Sequence, residues 1–283
     1  MQNYESNTTE NFPPQSPIKK DVLSSDLPPL SPNNPPWNSL TALAVWVASV
    51  LLIAIVPAIF VVPYIILNRQ NSLESVQSDP MVILLSIIGT IPAHILTIVL
   101  AWAVVTHFNK YSFRDVLGWK NAGFAWWHHL IILGGFFAVA AIVGYFLPAQ
   151  ENELTRILRS SRTVVYLVAF MATFTAPLVE EVIYRGILYS AIQRSVGVGW
   201  AVLIVTTLFA GVHFWQYWGS PGTIILICLL SLILTLIRVR TNNLLPCVIL
   251  HTIFNGLQSI SLIFFEDFAL SQPKTEAFFH LFK

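Results

Sequence analysis

The sequence predicts an all-α, polytopic bundle of about seven to eight membrane helices. Of its 283 residues, 55% are apolar and only 10% are charged, whereas an ordinary soluble domain carries roughly 25% charged side chains. The mean hydropathy is +0.68, and apolar runs of about 20 residues, enough to cross a hydrocarbon core, recur along the chain. The 15 Lys and Arg nearly balance the 14 Asp and Glu, so no basic footprint for nucleic acid is present. Cys228 and Cys247 both fall inside apolar runs, where a thiol behaves as a small apolar side chain rather than as half of a disulfide framework.

Residues 1–36 are crowded with Pro, Ser and Asn and close on Ser31, Pro32, Asn33, Asn34, Pro35 and Pro36. Such a segment cannot bury a core and is expected to be a disordered tail. A polar stretch this long ahead of the first apolar run is unlike a cleavable signal peptide, so the first span is expected to stay in place. The helical membrane domain is expected over 37–268. Five runs qualify as spans unaided: 40–67, 81–108, 124–147, 223–237 and 244–265. A further run, 164–176, leads straight into Glu180, Glu181 and Arg185. It reads as a span broken at Pro177, with a second helical piece over 178–193 continuing it. The run 198–214 completes seven crossings, and a short polar tail is expected over 269–283. Prolines 57, 63, 92, 177 and 246 are tolerated in membrane helices and predict kinks.

Loop cations set the orientation. Lys19, Lys20, Lys110, Arg114, Lys120, Arg185, Arg194, Arg238 and Arg240 fall on the side of the N-terminus, against Arg69, Arg156, Arg159, Arg162, Lys274 and Lys283 on the other, nine against six. The side richer in Lys and Arg is cytoplasmic. The expectation is a multi-pass protein of the cell membrane with its N-terminus in the cytoplasm.

Ionisable groups in hydrocarbon cost about 2.5–3.5 kcal/mol each on insertion scales, so each needs a reason. Between 164 and 265 the only acidic residues are Glu180 and Glu181, and the only histidines are His213 and His251. Glu181 and Arg185, four apart, share a helix face and are placed to pair. Glu180, about 100° round the helix, points elsewhere. His251 and Asn255 also share a face. Pro177 suits a first helical turn, so both carboxylates are expected near a helix N-terminus, whose dipole favours the ionised form. A carboxylate able to take a proton, an imidazole beside it and separate donors for a developing oxyanion are the components of water-mediated amide hydrolysis.

Taken singly, each residue has a plainer reading. Glu181 and Arg185 can be a structural ion pair, and an intramembrane histidine is commonly an interhelical contact. His94, with no acidic residue nearby in the sequence, reads first as such a structural contact, and Trp126, Trp127, His128 and His129 read as an interfacial anchor. Phe209 by itself is packing. The joint occurrence in an apolar region is what points to chemistry. The HExxH signature of zinc proteases and any CxxC are absent. Glu180, His213 and His251 nevertheless make up a three-ligand zinc set with an open fourth position. Asn255 suits an oxyanion donor better than a zinc ligand. Spacing leaves both mechanisms open, and a glutamate-activated water without metal is the favoured one.

Written as EExxxR at Glu180, Glu181 and Arg185, FxxxH at Phe209 and His213, and HxxxN at His251 and Asn255, the sequence resembles the CPBP family. These are CAAX-processing and bacteriocin-processing (Abi) intramembrane proteases, which include the type II CAAX prenyl endopeptidase. The three motifs stand in the family's order within about 164–265. The resemblance implies an all-helical membrane endopeptidase whose cavity opens to the cytoplasmic side or the bilayer. On that likeness Glu180 is the base that activates water and His213 holds and polarises that water. His251 and Asn255 form the oxyanion-stabilising pair, Glu181 and Arg185 support the first motif, and Phe209 packs in the site. Family members have been described both as metalloproteases and as glutamate proteases, so a metallopeptidase with zinc stays beside the glutamate type. The implied substrate is a membrane-associated or lipidated peptide or protein.

Two readings from other classes compete with the peptidase. One is a non-catalytic membrane scaffold or bacteriocin-immunity protein that keeps the polar cluster for helix packing. The other is a proton-coupled transporter relaying protons through Glu180 and His213.

Overall fold

The computed structural model describes residues 30–271 except 71, 149 and 151, with side chains described as far as 264. Among the described residues seven long helices build the bundle: α1 (Ser39–Leu67), α2 (Pro80–Thr106), α3 (Trp126–Phe146), α4 (Arg162–Val196), α5 (Val198–His213), α6 (Pro221–Thr241) and α7 (Leu245–Ser271). All but α5 are long and apolar enough to cross a membrane, and α5 is a shorter apolar helix. Short helices Leu73–Ser78, Phe113–Leu117 and Glu153–Leu158 lie in the connections. The chain is therefore an integral membrane protein with the expected all-α architecture. Outward faces carry exposed Leu51, Ile55 and Ile59 on α1 and Ile131 and Ile142 on α3. A helical bundle turns such faces to lipid, because lipid tails are as apolar as the side chains.

Local chemistry sets the helix ends. Asn38 caps α1 by accepting from the Thr41 amide at 2.8 Å, and Asp79 caps α2 from the Met81 amide at 2.8 Å, with Pro80 in the first turn. Gly197, at φ +83°, breaks the chain between α4 and α5 in a conformation that favours glycine. α1 and α2 pack as a hairpin whose backbones meet at Gly89, where a Cβ would lie 2.6 Å from Pro57 Cα.

α4 is the central pillar. Every residue from Glu181 to Ile192 is buried, and Val182, Ile183, Ile187 and Leu188 pack with Ala42 and Val45 of α1 and Ala201 and Val205 of α5. A helix apolar on all sides belongs inside a bundle. The expected break at Pro177 is not there. α4 runs unbroken from Arg162 to Val196 by widening into π-turns over 171–175 and 182–188. In the first of these the Ala176 amide donates back to Met171, five residues earlier. The next donor in that register is Pro177, which has no N–H. The carbonyl so freed, that of Ala172, accepts instead from Asn255 Nδ2 of α7 at 2.8 Å. A partner helix thus re-satisfies the backbone that proline leaves open. Glu180 and Glu181 consequently lie mid-helix, so the expected N-terminal dipole does not act on them.

Residues 30–38 close one end of the bundle. Arg238, fully buried, donates to the Pro32 carbonyl at 2.6 Å and to Asn33 Oδ1 at 3.0 Å. Arg194 donates to the Pro35 carbonyl, and Trp37 Nε1 to the Ile187 carbonyl at 3.1 Å. The last part of the expected tail is thus bound to the helices, and residues 1–29 lie outside the described residues. At the other terminus α7 extends to Ser271, past the expected start of the polar tail at 269. Two of the nine cations assigned to N-terminal-side loops, Arg185 and Arg238, are fully buried. Removing them leaves seven against six, so the charge bias that set the orientation shrinks.

Candidate active site

Three helices bring the motif residues to one cavity of about 500 Å³. Glu180 enters from α4, Phe209 and His213 from α5, and His251 and Asn255 from α7, all lining its wall. The cavity occupies the half of the bundle away from residues 30–38. Leu154 of the α3–α4 connection and Gln216 and Tyr217 of the α5–α6 turn line that half. The remaining wall is largely apolar, with Phe136 of α3, Leu226 and Leu230 of α6 and Phe254 of α7.

The two adjacent glutamates have opposite surroundings. Glu181 is fully buried, and its Oε1 accepts from Arg185 Nη1 at 2.9 Å and from His251 Nδ1 at 2.8 Å. Arg185, also fully buried, continues the lock into α6: Nη2 donates to Ser231 Oγ at 2.8 Å and Nε to Thr235 Oγ1 at 3.3 Å. Its guanidinium lies 4.7 Å from the Phe209 ring centroid, which adds a cation–π contact. The pairing foreseen from the four-residue spacing is therefore present, and it also holds the histidine of the third motif. Glu180 keeps 23% of its side chain exposed, and its nearest charged partner is His251 Nε2 at 3.7 Å. That leaves its carboxylate open to the cavity.

His213 lines the same cavity, one turn beyond Phe209, with ring centroids 5.1 Å apart. Its Nδ1 meets Gln216 Oε1 at 3.4 Å. With the Nδ1 proton on that amide, Nε2 is left as an acceptor. Asn255 has one N–H on the Ala172 carbonyl and a second one remaining. His251, with Nδ1–H on Glu181, donates from Nε2 only when both ring nitrogens carry protons.

His94 also reaches this site. Its Nδ1 shares a 2.9 Å hydrogen bond with Thr175 Oγ1 in the π-turn of α4, and its ring lines the cavity. It thus makes the interhelical contact foreseen for it, but at the wall of the site. Of the aromatic and histidine cluster at the start of α3, Trp126 and Trp127 are exposed whereas His129 is buried against Phe124. Gln216, Tyr217 and the Arg185 partners Ser231 and Thr235 were not singled out from the sequence. The available signal for Tyr217 was its place four residues after His213, continuing the face that begins at Phe209.

For a metal, no three His, Cys, Asp or Glu side chains are grouped to hold an ion among the described residues: Glu180 Oε2 and His251 Nε2 are 3.7 Å apart, and His213 is a further residue of the same cavity wall.

Residues 162–257, about a third of the chain, match the family described as type II CAAX prenyl endopeptidase Rce1-like. The matched segment contains all three motifs, from the α4 glutamates to Asn255. No curated protein and no solved structure matches the chain.

Proposed function

We propose that this chain, whose residues 162–257 match the type II CAAX prenyl endopeptidase Rce1-like family, is an endopeptidase cutting membrane-associated or lipidated peptides with a water activated by Glu180 and His213. The observation that carries this reading is the convergence of Glu180, His213, His251 and Asn255, from three helices, on one cavity inside a membrane bundle. Glu180 takes a proton from water while the water oxygen bonds to the scissile carbonyl carbon. His213 Nε2 accepts from the same water and orients it. The second N–H of Asn255 and Nε2–H of a doubly protonated His251 meet the oxygen that becomes negative. The C–N bond then breaks, and the proton held by Glu180 passes to the departing amine. Glu181 and Arg185 act by fixing the His251 ring. The apolar wall at Phe136, Leu226 and Phe254 suits a lipid-linked or apolar stretch next to the cleaved bond.

The test is cleavage of a panel of quenched fluorescent lipidated peptides by wild type and Glu180→Gln, each with and without a chelator. Cleavage lost in the variant and indifferent to the chelator is the expected result. Loss on chelation in the wild type would replace the glutamate mechanism with a metal-dependent one. A folded wild type that cuts nothing across the panel would overturn the peptidase reading in favour of a scaffold or transporter.

For location the proposal is the cell membrane with a cytoplasmic N-terminus. It carries a consequence, since the cavity lies in the half remote from residues 30–38: that half then faces outward. Single cysteines at Glu153 and at Lys120, in a chain with Cys228 and Cys247 replaced, should react with an impermeant thiol reagent in intact cells only at position 153. The reverse pattern overturns this orientation and turns the cavity half toward the cytoplasm.

A further inference from the structure

The face that carries FxxxH extends one helical step further. Phe209, His213 and Tyr217 follow at four-residue intervals, and the His213 and Tyr217 ring centroids are 6.4 Å apart. Tyr217 lines the cavity with Glu180. Among the described residues no protein group hydrogen-bonds its hydroxyl, and that oxygen is not one of the sealed-off polar atoms of the interior. Tyr184, buried in the same aromatic cluster, differs: its hydroxyl accepts from Trp46 Nε1 at 3.1 Å. Tyr217 is half-buried, and a phenol with an apolar body and a polar tip normally gives that tip a partner, so an unpaired hydroxyl on a cavity wall is a donor available to a ligand.

The donors already assigned to the oxyanion are partly engaged. One Asn255 N–H serves the Ala172 carbonyl, and His251 Nδ1–H serves Glu181. That leaves a single neutral N–H, on Asn255, together with a His251 donor that depends on its protonation. Oxyanion sites work through preorganised donors aimed where charge develops.

Resting on the endopeptidase reading above, we propose that the Tyr217 hydroxyl is a further catalytic residue, donating a hydrogen bond to the carbonyl oxygen as it becomes the tetrahedral oxyanion. The water oxygen–carbon bond forms and the C–N bond breaks as already described, and the phenol keeps its own proton throughout. Burial, with the nearby Glu180 charge as the second cause, pushes that hydroxyl up to about 12, so it stays a donor across the working pH range. Tyr217 comes from the α5–α6 turn and Asn255 from α7, and both line the cavity, so the two donors come from different elements.

The test is Tyr217→Phe, which keeps the ring against His213 and removes only the hydroxyl. Losing one oxyanion donor lowers kcat by about 10²–10³-fold. We expect that loss in kcat with KM within about twofold of wild type, since a bond made only in the transition state does not contribute to substrate binding. A peptidyl phosphonate, a tetrahedral anion, should bind Tyr217→Phe more weakly by a comparable factor. The uncleaved peptide should bind Glu180→Gln and the Glu180→Gln, Tyr217→Phe double variant alike. Thermal stability in detergent should not change. A wild-type kcat in Tyr217→Phe, or a kcat loss that tracks lost thermal stability, overturns the assignment while leaving the endopeptidase standing. A wild type that cuts no peptide overturns both.

Discussion

Glu180 and Glu181 are neighbours in sequence and one helical step apart in space, yet one faces a cavity and the other is locked in the core. Glu181 has no exposed surface and holds Arg185 and His251 on a single oxygen. Glu180 retains 23% exposure and has no charged partner nearer than 3.7 Å. The roughly 100° between successive helical residues makes such a division available wherever two carboxylates are adjacent on a helix packed on one side and open on the other. Burying an ion pair is costly unless it is well satisfied, and here α6 contributes Ser231 and Thr235 to that end. The comparison separates stability from chemistry. The buried carboxylate holds His251, and the open one stands where the proposed base must.

Substitutions should pull the two glutamates apart. The largest effect on activity is expected from Glu180→Gln, a loss of about 10²–10⁴-fold, the usual worth of a general base, with unchanged thermal stability in detergent. A destabilised Glu180→Gln would erase the contrast. The largest effect on stability is expected from Arg185→Met, which leaves Glu181 buried without its cation and should cost about 3–5 kcal/mol, read as a lowered Tm and poor recovery from membranes. Glu181→Gln should resemble Arg185→Met in stability while its folded fraction still cleaves peptide. If Glu181→Gln instead stays stable and loses all activity, the roles of the two carboxylates are exchanged.

Asn255 joins the two regions, since it holds the π-turn of α4 and also faces the cavity. Asn255→Ala leaves the Ala172 carbonyl without its side-chain donor and should destabilise by about 1–3 kcal/mol, together with a drop in kcat. The smallest effect is a coupling. Pro177→Ala returns an N–H near that carbonyl, so in its background the stability lost by Asn255→Ala should shrink by about 0.5 kcal/mol or more. Equal losses in both backgrounds would show that proline and asparagine act independently.

Much of this was legible in the sequence because it is local. Seven apolar stretches gave the crossings, and a four-residue interval put Arg185 against Glu181. The same local reasoning misplaced Pro177. It treats proline as a helix end, whereas a π-turn and an asparagine from α7, 78 residues further along (255 minus 177), let α4 continue. It also counted Arg185 and Arg238 among loop cations, because charge alone does not reveal that Ser231 and Thr235, or the carbonyl of Pro32, will meet them inside. Tyr217 went unnoticed for a related reason: it follows the motif helix in a turn, where helical periodicity is not normally extended.

By itself, then, the sequence determined a membrane-spanning helical chain, the positions of its crossings, and three polar motifs whose internal spacings put their residues on common faces. Composition and helical geometry suffice for that, since each depends on residues within a few positions of one another. The tertiary structure alone decided that α4 passes unbroken through Pro177, that residues 30–38 bind two arginines, that Glu180 rather than Glu181 opens to the cavity, and that Gln216, Tyr217 and His94 share its wall. Each of these depends on contacts between helices distant in the chain, and no local pattern encodes which faces will meet.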